Sequence, residues 1–251
     1  MNTTATMARP AEMSPKTLAR LIGALLLLTM VGGGFAQGYV AGSIVSGDAA
    51  ATAANIVTHQ QLYRLGFAVY LVEMACQIAM TVLTYQLLKP AGKTASALAL
   101  AFGLIGCTIK TMARLFFFAP LLVLGGVHYL SVFDPKQLEA LAFFSLRMNY
   151  TVETIAMVFF GFNTLLTGYL ILRSSFLPRA LGVLSVVGGL GWLLYLYEPL
   201  AHRLESGIVG VGVVGALVMV VWFLVKGVDE TRWRDQAGRT VTPIAGSTVL
   251  S

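Results

Sequence analysis

Apolar residues in this chain fall into six long runs that are separated by short polar segments. Each run approaches or exceeds the about 20 residues that a helix needs to cross a bilayer. A membrane barrel would instead show alternating strands of about ten residues, which the sequence lacks. The pattern therefore predicts an all-α integral membrane bundle of six transmembrane helices. The predicted spans are roughly residues 18–40, 62–88, 95–124, 138–172, 180–196 and 207–225.

The polar segments divide the chain into one membrane domain and two tails. We expect residues 1–17 to form an N-terminal tail, 18–227 the six-helix domain and 228–251 a disordered C-terminal tail. The segment 197–205 is expected to link the last two spans. Small residues after the first run also resemble the cleavage site of a secretory signal, but the polytopic context favours a retained helix. The fourth run is longer than a bilayer requires, so its helix must tilt or protrude.

Composition supports an integral membrane protein. The 251 residues are 57% hydrophobic and 11% charged, against about 25% charged in a typical soluble domain. A net charge of +6 is spread over short loops and termini, which does not indicate a nucleic-acid partner. The two cysteines, Cys76 and Cys107, fall in predicted spans and form no metal or redox motif. The bilayer is therefore the predicted partner, and no cofactor is predicted.

Basic residues predict the orientation. Those of the N-terminal tail, the second loop, the fourth loop and the C-terminal tail all fall on one side, whereas the other side offers mainly Lys136 and Arg203. By the positive-inside rule both termini are predicted to be cytoplasmic. The three histidines, His59, His128 and His202, then lie on the external side. They are weak candidates for metal ligands, because they show no metal-binding spacing and lie in separate loops, so no metal site is predicted.

Four ionisable residues lie inside apolar runs, where a charge near the membrane centre costs at least about 2.5 kcal/mol. Lys110 and Arg114 are in the third run, Glu73 is in the second and Glu153 in the fourth. Counted at about 1.5 Å per residue along each helix, Glu73, Lys110 and Glu153 lie at heights of roughly 24, 25 and 30 Å above the basic loops. The sequence therefore predicts one charged layer that faces the bundle interior.

Polar stripes at helical spacing extend this layer on the second, third and fourth spans. One interpretation is a set of structural ion pairs that hold these helices together. The other is a polar cavity between helices two to four that holds a ligand. The candidate ligand-binding residues are Glu73, Gln77, Lys110, Arg114, Asn149 and Glu153.

Three functions remain open on this basis. The leading hypothesis is a non-enzymatic membrane protein that binds or transports a small amphipathic or anionic ligand. The second is an intramembrane enzyme acting on a lipid or isoprenoid, with Glu73 or Glu153 as the catalytic acid or base. The third is an accessory membrane subunit without a ligand. Small residues spaced four apart in the sixth run, such as Gly212 and Ala216, favour close packing within the monomer and leave a homodimer possible.

The segment FFGFNTLLTGYLILRSSFLPRALGVLSVVGGLGWLLY, residues 159–195, resembles the most characteristic stretch of the bacterial domain-of-unknown-function 4386 family. Further segments resemble other parts of that family in the same order, namely GDAAATAANI, LYRLGFAVYLV, LLKP and WFLVKGV. The resemblance implies a small multi-pass protein of the bacterial cytoplasmic (inner) membrane, and it implies no biochemical activity. The two cations of the third span depart from the family pattern.

Overall fold

The structure is a computed structural model that describes residues 13–126 and 128–241. Within these residues six helices are long and apolar enough to cross a membrane, and no strand is present. The prediction of an all-α bundle of six such helices is confirmed. In chain order, the first to the sixth span are Pro15–Ile44, Gln60–Ala91, Lys93–Val123, Pro135–Arg173, Arg179–Leu196 and Glu198–Val225.

Two shorter helices lie outside the spans. The loop helix, Ala49–Thr58, follows the first span, and the C-terminal helix, Glu230–Val241, follows the sixth. A single 3-10 turn, His128–Leu130, lies before the fourth span. Side-chain caps begin three of the helices: Ser14 accepts from Thr17 N, Asp48 from Ala51 N, and Asp134 from Gln137 N. These caps satisfy backbone N–H groups that have no partner within a helix.

The six spans form a closed ring. Each span packs against the next one in the chain, and the first packs against the sixth. The closing contact is tight at Gly23, where an added Cβ would lie 2.9 Å from the Cβ of Phe223. Lys16 N–H donates to Glu230 Oε1 at 3.3 Å, so the beginning and end of the described chain share one end of the bundle. We call this the terminal end, and the opposite one the far end.

Apolar clusters fill the ring at both ends. The cluster at the terminal end includes Leu18, Ile22, Leu87, Leu88, Leu170, Ile171, Phe176, Leu177 and Phe223. The cluster at the far end includes Val40, Ile44, Ile56, Tyr63, Tyr70, Phe117, Leu121 and Leu146. Ile56 belongs to the loop helix, which therefore helps to cover the far end. Glu73, Lys110, Arg114 and Glu153 lie between the residues that their spans contribute to the two clusters.

The C-terminal helix corrects one expectation. Disorder was expected for residues 228–251, but residues 230–241 are helical; residues 242–251, like 1–12 of the N-terminal tail, lie outside the described residues. The helix is held by tertiary contacts: Trp233 Nε1 donates to the carbonyl of Leu87 at 2.8 Å, and Gln236 Oε1 accepts from Ser175 N at 3.0 Å. Trp233 also packs against the apolar cluster of the terminal end. Polar composition alone did not reveal these docking contacts.

The sixth span also begins earlier than expected. The expected linker 197–205 is helical from Glu198, so the span is about two and a half turns longer at the far end. Pro199 does not break this helix because it lies in the first turn, where its missing N–H has no partner to lose. At the other end Gly227, with φ of 69°, adopts the left-handed conformation that ends the helix.

The first span contains a wide-helix segment that the sequence pattern did not predict. Residues Gly34–Ala41 form a π-helix between two α-helical parts of the span. Such segments are rare and often occur at functional sites. Gln37 lies within this one, and its side-chain oxygen accepts a short hydrogen bond from the hydroxyl of Tyr70 on the second span.

The closed ring can be tested at the contact between the first and sixth spans. We expect Gly23→Leu to destabilise the protein by about 1–3 kcal/mol, because the new side chain overlaps Phe223. Thermal unfolding in mild detergent would measure this change. Gly34→Leu is the matched control, since no described atom lies within 4 Å of a Cβ at that position. Equal melting temperatures for the two variants would contradict the close contact.

Candidate functional site

Four charged side chains form one connected network between the apolar clusters. Lys110 Nζ lies 2.9 Å from Glu73 Oε1 and 3.8 Å from Glu153 Oε1. The guanidinium of Arg114 donates to both carboxylate oxygens of Glu153, at 2.8 and 3.3 Å. The network joins the second, third and fourth spans at a single level. The predicted charged layer is therefore present, with its members in direct contact.

Arg114 is the enclosed member of this network, with 1% of its surface exposed. Its Cζ lies 3.7 Å from the ring centroid of Tyr70, which places the cation over the aromatic face. A third hydrogen bond runs from Arg114 to Asn149 Oδ1 at 3.2 Å. Tyr70 is itself held by Gln37. Arg114 thus fixes the side chains that surround it and is shielded from both water and lipid.

The network carries no net charge, because two cations are matched by two carboxylates. Such pairing is what makes buried ions tolerable, since an unpaired charge in the same place would be strongly destabilising. Within the described residues, two buried side-chain polar atoms have no hydrogen-bond partner, Glu73 Oε2 and Arg114 Nε. Both belong to this network. Both atoms are enclosed by protein, so neither faces the cavities described below.

Two adjoining cavities lie inside the ring. The first has a volume of about 370 Å³ and is lined by all six spans. The second, of about 330 Å³, is nearer the charged network and is lined by Glu73, Lys110 and Glu153 among others. Both cavities are bordered by Lys110, Trp192, Gly212 and Ala216. The cavities therefore meet at Lys110, which faces the space from the third span.

The first cavity combines apolar walls with a set of neutral polar groups. Two of its threonines donate to backbone carbonyls of their own helix, Thr81 to Gln77 and Thr84 to Met80, both at 2.8 Å. Asn163 Nδ2 donates to the carbonyl of Ala99 at 2.7 Å. With these donors engaged, the side-chain oxygens remain as acceptors. The polar lining of this cavity comprises Gln77, Thr81, Thr84, Lys110, Asn163, Thr164, Thr167 and Ser185.

The six candidate residues divide into two groups. Glu73, Gln77, Lys110 and Glu153 line one or both cavities. The other two line neither cavity: Arg114 donates to Glu153, and Asn149 accepts a hydrogen bond from Arg114. Whether the lining residues bind a ligand stays a prediction.

Sequence reasoning missed the walls contributed by the first, fifth and sixth spans. Gln37 lines the second cavity, and Trp192 lines both. A signal was present for Gln37, which is a lone amide between Gly34 and Gly38 in an otherwise apolar run. Gly212 has a packing role, since a Cβ there would lie 2.7 Å from the Trp192 ring. No polarity pattern marks such residues, because they contribute shape.

The histidines do not converge. His202 lies on the sixth span, where Nε2 is 3.4 Å from Glu198 Oε1 and Nδ1 is 3.7 Å from Glu205 Oε2. Its ring stacks on that of Tyr150, with centroids 5.9 Å apart. Across residues 13–126 and 128–241, no group of three or more His, Cys, Asp or Glu side chains could hold a metal ion.

Comparison with known proteins gives the family. The family described as "Domain of unknown function (DUF4386)" matches residues 21–227, which include all six spans in whole or in large part. The chain belongs to this family. An archaeal relative of this DUF4386 protein, from Archaeoglobus fulgidus and described as an uncharacterized protein, is 26% identical over 153 residues. That match covers 60% of this chain and 76% of the relative. No solved structure matches the chain.

The two cations of the DUF4386 protein should differ in their effect on stability. We expect Arg114→Met to destabilise the fold by about 3–5 kcal/mol, because it removes a fully buried cation and leaves Glu153 without its bidentate partner. Lys110→Met should cost less, since Lys110 makes one hydrogen bond against three for Arg114, and its side chain is 14% exposed against 1%. Thermal unfolding in detergent would compare the variants.

A double variant serves as the control for this comparison. Arg114→Met combined with Glu153→Met removes both the cation and its bidentate partner, so it should recover part of the stability lost in the single variant. An equal or larger loss in the double variant would contradict a dominant ion-pair role for Arg114.

Proposed function

We propose that this DUF4386 protein binds a small amphipathic molecule in the two adjoining cavities, as a non-enzymatic multi-pass protein of the bacterial cytoplasmic membrane. The observation that supports this most is that all six spans contribute to the first cavity, with polar groups gathered on its walls. Each cavity has a volume within the range of about 300–1,000 Å³ that is usual for small-molecule sites.

The distribution of polar groups favours an amphipathic ligand. Charged groups concentrate in the second cavity, where Glu73, Lys110 and Glu153 meet. The first cavity adds apolar walls such as Leu26, Met80 and Phe160 between its neutral polar groups. A molecule with one polar end and an apolar body would satisfy both regions.

The charge balance favours an uncharged polar end over the anionic one considered from the sequence. Both cations already contact carboxylates, and the four charges of the network cancel. An added anion would leave an uncompensated charge in a region of low dielectric constant, which is costly. The apolar clusters at both ends favour a binding protein or carrier over an open channel.

Ligand binding can be tested by filling the first cavity. Gly188 lines this cavity and has no described atom within 4 Å of an added Cβ, so Gly188→Leu should occupy ligand space without a clash. We expect native mass spectrometry of the wild-type protein, purified in mild detergent, to show a bound small molecule that Gly188→Leu lacks.

Gly207→Leu is the matched control for this experiment, because its position is equally open and lines neither cavity. It should retain the bound species at the wild-type level. A wild-type spectrum without any bound species, or loss of the species in both variants, would count against a site in the cavity.

We also propose that both termini are cytoplasmic. The basic residues at the terminal end support this orientation by the positive-inside rule. They include Lys16, Arg20, Lys89, Lys93, Arg173, Arg179, Lys226, Arg232 and Arg234.

Single cysteines can test the orientation in a variant whose Cys76 and Cys107 are replaced by alanine. Ser131→Cys, exposed at the far end, should react with a membrane-impermeant maleimide in intact spheroplasts. Thr94→Cys, exposed at the terminal end, should react only after permeabilisation. The reverse labelling pattern would invert the proposed topology.

A further inference from the structure

The second cavity has a mouth on the side of the bundle. Among the described residues that line it, those that remain exposed are Gln37, Val209 and Val213. Gln37 belongs to the first span, and the two valines, which are 41% and 46% exposed, belong to the sixth. The other lining residues are buried or half-buried. The cavity therefore opens between the first and sixth spans.

This mouth lies at membrane depth in the half of the bilayer near the far end. Val209 is about 24 Å along the helix from Val225, at about 1.5 Å per residue, within a hydrocarbon core of about 30 Å. Exposed apolar side chains such as Val31 and Val214 flank it on the same two spans. Lipid chains, rather than water, are the expected surroundings of such a surface.

Packing between the two spans changes along their length. Near the terminal end Gly23 and Phe223 are in close contact. Toward the far end the second cavity lies between the two spans, bordered by Gly33 and Gln37 of the first and by Val209 and Gly212 of the sixth. The spans are therefore in close contact at one end and separated by the cavity at the level of the mouth.

The polar groups at the inner side of the mouth fit a hydroxyl. An ammonium carries three N–H donors, and Lys110 makes one hydrogen bond among the described residues, to Glu73 Oε1. Glu73 Oε1, which accepts this bond, has a second lone pair for another donor. A hydroxyl can accept from Lys110 and donate to the Glu73 carboxylate, and it adds no charge to a network that is already neutral.

We propose that the site takes up a long-chain alcohol from the bilayer through the mouth between the first and sixth spans. Its hydroxyl binds between Lys110 and Glu73, and its apolar chain lies along the walls of the two cavities. This inference rests on the proposed function, because it requires the cavities to hold a ligand, and it adds the class of ligand and the route of entry.

The fluorescence of Trp192 can report ligand binding, because this residue lines both cavities. The variant Trp222→Phe/Trp233→Phe leaves Trp192 as the single tryptophan of the chain. In lipid nanodiscs, 11-bromoundecan-1-ol should quench its fluorescence saturably through the bromine atom. The methyl ether of the same compound has no O–H donor and should bind about tenfold more weakly. In Glu73→Met, which removes the acceptor of the hydroxyl proton, the difference between the two compounds should shrink.

The route of entry is tested by narrowing the mouth. Val209→Phe/Val213→Phe should slow the stopped-flow association of the bromoalcohol at least about tenfold. Val221→Phe is the matched control, since this exposed position lies about two turns from Val213 on the same helix and lines neither cavity, and it should leave the rate unchanged. Thermal unfolding would verify that all variants are folded.

The outcomes separate this inference from the proposed function. Equal affinity for the alcohol and its ether would overturn the hydroxyl site, and an unchanged rate in Val209→Phe/Val213→Phe would overturn the lateral route. Absence of saturable quenching by either compound would overturn the alcohol as ligand. In each of these cases a bound species that Gly188→Leu removes in native mass spectrometry would still support a ligand site in the cavity.

Discussion

A fully buried guanidinium holds this bundle in register. Arg114 is removed from water and from the lipid surface, so its charge is tolerated only because protein groups replace its hydration. Those groups come from two neighbouring spans: Glu153 and Asn149 from the fourth, and Tyr70 from the second. Tyr70 in turn binds Gln37 of the first span. A sliding movement of any of these four helices would break contacts to a buried charge, so their relative depth is fixed.

Arg114 and Lys110 have different roles although they lie one helical turn apart. Because Arg114 occupies both oxygens of Glu153, Lys110 takes Glu73 as its close partner and remains at the cavity wall. The fifth and sixth spans face this wall with Trp192, alanine, valine and glycine. The charged half of the ring and its apolar half thus meet across the second cavity. Its amphipathic character follows from this division and not from mixing of polar and apolar residues on each helix.

The sequence was sufficient to predict the features that depend on local differences between apolar and charged residues. Long apolar runs gave the six spans, and counting residues from the basic loops brought Glu73, Lys110 and Glu153 to one level. Features set by tertiary contact were missed. The C-terminal helix is stabilised by Trp233 docking on Leu87, and the ring closes through Gly23, whose role lies in the side chain it lacks. The cavity walls on the fifth and sixth spans were missed for the same reason, because the residues that form them are as apolar as the rest of the span.

A ligand could enter the cavity at either end of the ring or through its side, and each route requires a different movement of the protein. At the terminal end, access requires moving the apolar cluster and the C-terminal helix that packs on it. At the far end it requires separating stacked rings such as Tyr63 and Phe117, whose centroids are 4.4 Å apart. Each of these movements exposes buried apolar surface to water, at about 25 cal/mol for every Å². Passage between the first and sixth spans exposes such surface only to lipid chains, which solvate it equally well. Exchange with the bilayer is therefore the least costly route that this fold offers.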